Sequence, residues 1–184
     1  KGAGHTGIYV ANEDIDSGDP HRDVTFGVQF YTNVYDHLTI ALGAGVPTPF
    51  IANRWIISDD GLDYKFWIRK GIKFHDGEIL NAQSVKFSFD RAVWIAKEKG
   101  GSAAGNIRTQ LSEVTTNDAD QTVTLSLNDP FAPFLKSFYQ VAIMSEKTVM
   151  AHESDGDWGT EWLETNDAGS GPYKVAERQV GSFI

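Results

Sequence analysis

The feature that most constrains the fold is the alternating run LDYKFWIRK at residues 62–70. Its side chains fall into two rows, with Tyr64, Phe66 and Ile68 in one and Lys65, Trp67 and Arg69 in the other. A period of two is typical of a β-strand with one buried face. Asp59-Asp60-Gly61 stands just before the run, and Asp-Gly is a strong signal for a hairpin turn. The sequence therefore predicts a hairpin over residues 53–68.

A helix and a second hairpin are predicted further along the chain. Asn81 is a good N-cap for the helix, and Gly100-Gly101 ends it. The apolar stripe of this helix consists of Val85, Phe89, Ala92, Val93 and Ala96. Residues 111–116 and 122–127 have strand patterns on either side of a turn at 117–120, which predicts the second hairpin.

The other segments also mix strand and helix patterns, so we expect a mixed α and β fold. In chain order they are a strand at 7–10, an acidic loop at 12–19, a helix at 24–38, a Gly/Pro-rich connection at 43–49, a short helix at 131–139, a strand leading into a helix at 141–152, a tight turn at 169–172 and a strand at 173–177. The connection at 43–49 is a candidate subdomain boundary.

Composition excludes several functional classes. The 184 residues are 41% hydrophobic and 22% charged, which is ordinary for a soluble globular protein of one domain or two small ones. A net charge of −9 with dispersed Lys and Arg argues against a nucleic-acid partner. With no cysteine, the chain cannot form disulfides, zinc–thiolate sites or a thiol nucleophile. Because the sequence begins at Lys1 without Met, we expect a processed or trimmed chain.

His75 and Asp76 raise the question of catalysis. An imidazole oriented by a carboxylate is a general-base arrangement. However, adjacent residues on a strand point to opposite faces, and no well-placed nucleophile is evident. The structural interpretation is that Asp76-Gly77 makes a turn while Phe74 packs inward. We favour the turn and predict no catalytic residue.

The sequence matches known metal-binding and phosphate-binding motifs poorly. Metal-ligand spacing such as i, i+4 is absent from the five histidines, which are His5, His21, His37, His75 and His152. Asp155-Gly156-Asp157 resembles the start of a calcium loop, but Gly159 and Asn166 stand where oxygen ligands belong. Residues 100–105 have Walker spacing without the essential Lys. We therefore predict no metal and no cofactor.

Two aromatic and acidic features leave alternatives open. Trp158 and Trp162 are four residues apart and could share one helix face. Core or hinge packing is the favoured interpretation for both, with stacking on a sugar or on a ligand side chain as the alternative. The acidic loop at 12–19 follows a strand and could meet a cationic ligand, although solvated loop carboxylates are the commoner case.

Residues 49–92 strongly resemble the family 5 (peptide/nickel-type) extracellular solute-binding proteins of bacterial ABC importers. Their sequence is PFIANRWIISDDGLDYKFWIRKGIKFHDGEILNAQSVKFSFDRA. The positions in register are Trp55, Gly61, Tyr64, Phe66, Arg69, Gly71, Phe74, His75, Asp76, Gly77, Ala82, Val85, Phe87 and Ser88. Further markers follow in the family's order. They are Asp19-Pro20-His21, the run Asn33 to Leu38 and the turn Gly169-Ser170-Gly171-Pro172-Tyr173.

The resemblance implies an α/β fold of the periplasmic-binding-protein type II class. Residues 1–42 and 142–184 would belong to ligand-binding lobe I, and residues 43–141 to the extra α+β subdomain of the oligopeptide-binding class. Family members continue well beyond the Gly-Ser-Gly-Pro-Tyr turn. By resemblance, this chain is an N-terminal fragment with lobe I incomplete and the second lobe absent.

The function implied by the resemblance is not enzymatic. An exported periplasmic protein would capture di- or oligopeptides between two lobes and deliver them to a membrane permease. Nickel chelate or oligosaccharide binding, or a ligand sensor of the same fold, are the alternatives. Ligand contacts would come from Asn12, Glu13, Asp14, Ile15, Asp16, Gly169, Ser170, Gly171 and Tyr173. We expect the fragment alone to bind ligand weakly or not at all, and to self-associate through uncovered sheet edges.

Overall fold

The computed structural model describes residues 17–22, 28–42, 45–100 and 104–179. The strands are β1 (Thr39–Leu42), β2 (Val46–Pro49), β3 (Ala52–Ile57), β4 (Asp63–Ile68), β5 (Leu111–Asn117) and β6 (Thr122–Leu127). The helices are α1 (Val28–Val34), α2 (Ala82–Glu98), α3 (Ile107–Gln110), a 3₁₀ helix (Phe134–Gln140), α4 (Glu146–Ala151) and α5 (Thr160–Leu163).

A four-stranded antiparallel sheet carries the larger hydrophobic core, with strand order β3-β4-β6-β5. Both predicted hairpins are confirmed, one formed by β3 and β4 and the other by β5 and β6. The first turns through Gly61, whose φ of +74° favours glycine. The alternation in β4 buries Tyr64, Phe66 and Ile68 on the inner face of the sheet. A shorter sheet joins β1 and β2.

Helix α2 covers the inner face of the sheet. It begins at the predicted N-cap, where the Asn81 side chain accepts a hydrogen bond from the Ser84 N–H and the Ser84 hydroxyl oxygen accepts one from the Asn81 N–H, a capping box. Its buried stripe includes Phe89, which meets Phe138 of the 3₁₀ helix edge to face at 5.5 Å. Phe138 also packs on Phe66 at 5.5 Å, so sheet, helix and 3₁₀ helix share one aromatic centre.

A second, smaller core lies beside the first. It is built from α1, α4, α5 and the segments around them, and its buried apolar side chains are Phe30, Tyr31, Val34, Tyr35, Phe87, Ala142, Met144, Val149, Leu163 and Ala168. Phe87 is the member contributed by α2, so this helix packs against both cores. No helix in the described ranges is long and apolar enough to cross a membrane.

Several predicted boundaries were wrong. The helix predicted at 24–38 ends at Val34, because the chain then bends into β1. Residues 46–49 are not a loop but strand β2, whose prolines are tolerated because β2 pairs only with β1. Residues 173–177 form no strand. The strand predicted at 7–10 lies outside the described residues.

Candidate functional site

The loop between β4 and α2, residues 69–81, is called the signature loop. It contains the turn that the sequence predicted at Asp76-Gly77. Gly77 has a φ of +89°, and its N–H donates to the Phe74 carbonyl at 2.9 Å. Phe74 is buried in the larger core. The Phe74 N–H donates to the Glu78 carbonyl at 2.9 Å, which closes the loop. Only glycine adopts this backbone conformation without strain, so the turn accounts for the His-Asp-Gly sequence.

His75 pairs with a distant carboxylate, Asp167, and not with its neighbour Asp76. Its Nδ1 contacts Asp167 Oδ1, and its Nε2 lies 2.9 Å from the Gly171 carbonyl oxygen. The His75 backbone N–H also donates to the Gly169 carbonyl at 2.9 Å. Burial lowers the pKa of His75, but the hydrogen bonds to Asp167 and Gly171 outweigh it and raise the pKa above its ordinary value.

Asp76 instead holds the beginning of α4. Its carboxylate accepts hydrogen bonds from the hydroxyls of Ser145, at 2.6 Å, and Thr148. It also accepts the Glu78 N–H at 2.8 Å. Burial raises the pKa of Asp76, yet these donors lower it below the ordinary value of 3.8. The side chains of His75 and Asp76 thus join the loop after β4 to two separate segments, so both have structural roles.

Three predicted site residues lie in a turn that packs tightly on the end of α1. A Cβ added to Gly169 would lie 2.1 Å from the Val34 carbonyl oxygen, and one added to Gly171 would lie 2.6 Å from that of Asn33. The Gly171 N–H donates to the Val34 carbonyl at 2.9 Å. Between them, the Ser170 hydroxyl donates to Asp36 Oδ2 at 2.8 Å. This turn is a close-packed joint.

Among the predicted site residues that the structure describes, Tyr173 is the most open to solvent. It is 52% exposed, while its N–H is held by the Asn33 carbonyl at 3.1 Å. The backbone is therefore fixed and the ring is available for contact. The other predicted site residues, 12–16, lie outside the described residues.

Asp19, His21 and Arg91 form a buried ionic cluster that the spacing of residues did not predict. Arg91 of α2 donates from Nη1 to Asp19 Oδ1 at 2.9 Å and from Nη2 to Asp19 Oδ2 at 2.6 Å. His21 Nε2–H donates to the Ala142 carbonyl at 2.9 Å, so its Nδ1 accepts from Arg91 at 3.0 Å. The Asp-Pro-His marker pointed to two of these residues, but nothing local pointed to Arg91.

Glu164 gathers the same N-terminal segment from the other side. Its carboxylate accepts the Ser17 hydroxyl at 2.7 Å, the Gly18 N–H at 2.9 Å and Arg22 Nη1 at 3.0 Å. Residues 17–22 are therefore held by Arg91 on one side and by Glu164 on the other.

The weaker chemical candidates have structural roles. Asp157 accepts backbone N–H groups from Ser154, Gly159 and Glu161 at 3.0, 2.7 and 2.8 Å. Trp158 precedes α5, which corrects the prediction that it shares a helix face with Trp162, and it stacks on Phe87 and Trp94 of α2. Within the described ranges, no group of three His, Cys, Asp or Glu could hold a metal ion.

Comparison with known proteins places this architecture in a class of binding proteins. Residues 46–184 match the family described as bacterial extracellular solute-binding proteins, family 5 Middle, and the chain belongs to that family. The dipeptide-binding protein of Escherichia coli (strain K12) is 34% identical over 159 residues. That match covers 78% of this chain and 29% of the relative, so the chain spans less than a third of the relative's length.

Solved structures agree on the fold. The periplasmic binding protein DppA of Helicobacter pylori, in complex with the peptide STSA, has 29% identity and a TM-score of 0.72, covering 88% of this chain and 34% of that one. NikZ of Campylobacter jejuni, in complex with Ni(L-His), has 23% identity and a TM-score of 0.77, covering 91% and 32%. At 23% identity the second likeness concerns the fold alone.

Proposed function

We propose that this chain is part of an extracytoplasmic protein that captures peptides and delivers them to the permease of an ABC importer. One observation carries the proposal: the chain is 29% identical, over 88% of its length, to a binding protein solved with a peptide. The 34% identity to a dipeptide-binding protein supports the same ligand class. The protein would be a binding protein rather than an enzyme, because His75 and Asp76 are both used in structural hydrogen bonds.

In the proposed organisation, residues 1–42 and 142–184 belong to ligand-binding lobe I and residues 43–141 form the extra subdomain. The two hydrophobic cores support this division. The larger core draws mainly on residues 51–141, while the smaller one draws mainly on residues 30–35 and 142–168.

The proposed mechanism is a hinged clamp. A peptide contacts both lobes, and those contacts favour the closed form that docks on the permease. In this chain the contacts would come from residues 12–16 and from the turn at 169–173. Tyr173 is the residue best placed for contact, because its ring is exposed while its backbone is held against Asn33. The buried Asp19–Arg91 pair would hold residue 19 against α2.

The test is a titration of the full-length protein, first cleared of bound solute by partial unfolding and refolding. Calorimetry with di-, tri- and tetrapeptides, a nickel–histidine complex and a trisaccharide separates the ligand classes. We expect saturable binding of peptides and a loss of about tenfold in affinity for Tyr173→Ala, equal to about 1.4 kcal/mol. Phe50→Ala, which changes another exposed aromatic residue, in the connection between β2 and β3, is the matched control. Saturable binding of the nickel complex or sugar, without peptide binding, would overturn the proposed ligand class.

A further inference from the structure

His75 joins parts of the chain that are distant in sequence. It lies in the loop after β4, while both of its side-chain partners lie in the turn at 167–171. The same turn bonds to the end of α1 through Gly171 and Val34. The side chains of His75 and Asp167 are only 17% and 6% exposed, so water contributes little to this contact. The imidazole is therefore the link that ties the signature loop to the turn.

The two partners of the His75 ring determine how many protons the ring must carry. Nδ1 faces a carboxylate and Nε2 faces a backbone carbonyl, and both partners are acceptors. A neutral imidazole carries one N–H, whereas an imidazolium carries two. Asp167 cannot serve as a donor in its ionised form, and its carboxylate already accepts the Gly169 N–H at 3.1 Å and the Val175 N–H at 2.7 Å. Only the imidazolium satisfies both contacts of the ring.

We propose that His75 is a positioning residue whose imidazolium, held between Asp167 and the Gly171 carbonyl, sets the conformation of the turn at 167–173 and makes that conformation depend on pH. This inference rests on the proposed function for its consequence, since that turn is the proposed ligand contact. The geometry of the link does not depend on which solute binds. Loss of one proton removes the hydrogen bond from the ring to either Asp167 or the Gly171 carbonyl, so the turn relaxes.

The surrounding charges favour the protonated form. Asp167 faces the ring directly, Asp36 lies close enough to interact with it, and Lys174 opposes its charge. On the loop itself, Asp76 is engaged with α4 and Glu78 pairs with Lys147. Burial lowers the pKa of His75, but Asp167 and the Gly171 carbonyl raise it above 6.5. The link is therefore complete below pH 6.5 and is lost as the pH rises through the raised value.

Two NMR labels test the inference directly. Ring-¹⁵N histidine reports the charge of His75. Carbonyl-¹³C serine combined with ¹⁵N glycine selects amides that follow Ser-Gly pairs, and within this sequence these are Gly18 and Gly171. We expect doubly protonated His75 at pH 6 and a Gly171 amide that shifts with the midpoint of the His75 titration. Gly18, whose N–H is held by Glu164, should not follow that transition.

Variants separate positioning from general packing. Asp167→Asn keeps an acceptor but removes the charge, so the shared midpoint of His75 and Gly171 should fall by about one pH unit or more. His75→Gln, a second variant in case the first folds poorly, should abolish the Gly171 transition. His152→Asn changes an exposed histidine at the C-cap of α4 and should leave the Gly171 transition intact. A neutral His75 at pH 6, or a Gly171 amide that does not shift as His75 titrates, overturns the inference.

The same samples distinguish this inference from the proposed function. If Gly171 follows His75 but no peptide binds the full-length protein, the proposed ligand class fails and the positioning role stands. If peptide affinity is the same at pH 6 and pH 9 while the turn relaxes, the turn is not a ligand contact. If peptides bind and Gly171 does not follow His75, the proposed function survives and the inference is wrong.

Discussion

Arg91 and Asp19 form a two-pronged ion pair in which neither side chain is exposed to solvent, with N–O distances of 2.9 and 2.6 Å. Arg91 Nε also donates to the Trp158 carbonyl at 2.8 Å. One guanidinium therefore joins α2, the Asp-Pro-His segment and the loop before α5. Trp158 has a left-handed φ of +56°, and the bond to Arg91 helps to hold that conformation.

Removing one member of the Arg91–Asp19 pair should strongly lower the free energy of unfolding. Arg91→Met leaves the Asp19 carboxylate buried without its cation, and we expect a loss of about 3–5 kcal/mol in the free energy of unfolding, measured by urea denaturation. The double variant Arg91→Met with Asp19→Asn should lose clearly less than the sum of the single variants. Arg108→Met, which removes an exposed arginine, is the control and should change stability by about 0.5 kcal/mol or less. A single-variant loss below about 1 kcal/mol would contradict this account.

His21 should make the protein less stable in acid. Burial and the neighbouring Arg91 charge lower the pKa of His21 to about 3, against 6.5 in the unfolded chain. Between these values the unfolded state binds the proton and the folded state does not. Stability from this group should therefore fall as the pH decreases from 6.5 towards 3, by about 1.4 kcal/mol per pH unit at most.

The measurement for His21 is the free energy of unfolding at intervals from pH 7 to pH 4. His21→Asn should lower stability at pH 7 and flatten the slope, whereas His152→Asn should leave the slope unchanged. The Asp19 carboxyl contributes in a lower window: burial raises its pKa, but Arg91 lowers it below 3.8, so its contribution is lost only below that pH. A His21 ring resonance that titrates near pH 6.5 in the folded protein is the contrary result.

Gly169 and Gly171 should tolerate no side chain. The added Cβ of Gly169→Ala or Gly171→Ala would meet backbone oxygens of Val34 and Asn33, which cannot move without displacing the end of α1. We expect each variant to lose about 1–3 kcal/mol or more in unfolding free energy. Gly105→Ala is the control, because its new Cβ would meet only the end of the flexible Gln140 side chain, at 3.0 Å. Equal losses for all three variants would show that close packing on α1 is not the cause.

Local chemistry made the hairpins, the Asn81 cap and the His-Asp-Gly turn predictable. Each depends on residues within a few positions of one another, so turn propensity, capping and alternation were sufficient. The prediction for residues 43–49 failed for a local reason too. Proline normally marks a loop, but Pro47 and Pro49 lie in β2, an edge strand of a two-stranded sheet. Proline is tolerated in edge strands because its missing N–H group is not needed for pairing on the open side.

Long-range pairs were not predictable from the pattern. His75 meets Asp167 across 92 positions and Arg91 meets Asp19 across 72, so no spacing rule links either pair. The adjacent carboxylate of Asp76 was the obvious partner for His75, but it is occupied by Ser145 and Thr148. The family resemblance identified which residues belong together in a motif, whereas the contacts that give them their roles depend on tertiary packing.

Asp157 should act as a cap and not as a calcium ligand. Three backbone N–H groups already occupy its carboxylate, and although burial raises its pKa, these donors lower it below 3.8. Asp157→Ala should therefore cost about 1 kcal/mol, the typical value of a lost cap, and should shift tryptophan fluorescence because Trp158 is next to it. Asp155→Asn, at an exposed neighbour, should do neither. Because the folded pKa is lowered, the stabilisation by Asp157 should be present above pH 3.8 and disappear in stronger acid. A rise in melting temperature on adding calcium, lost in Asp157→Ala, would instead favour the metal site.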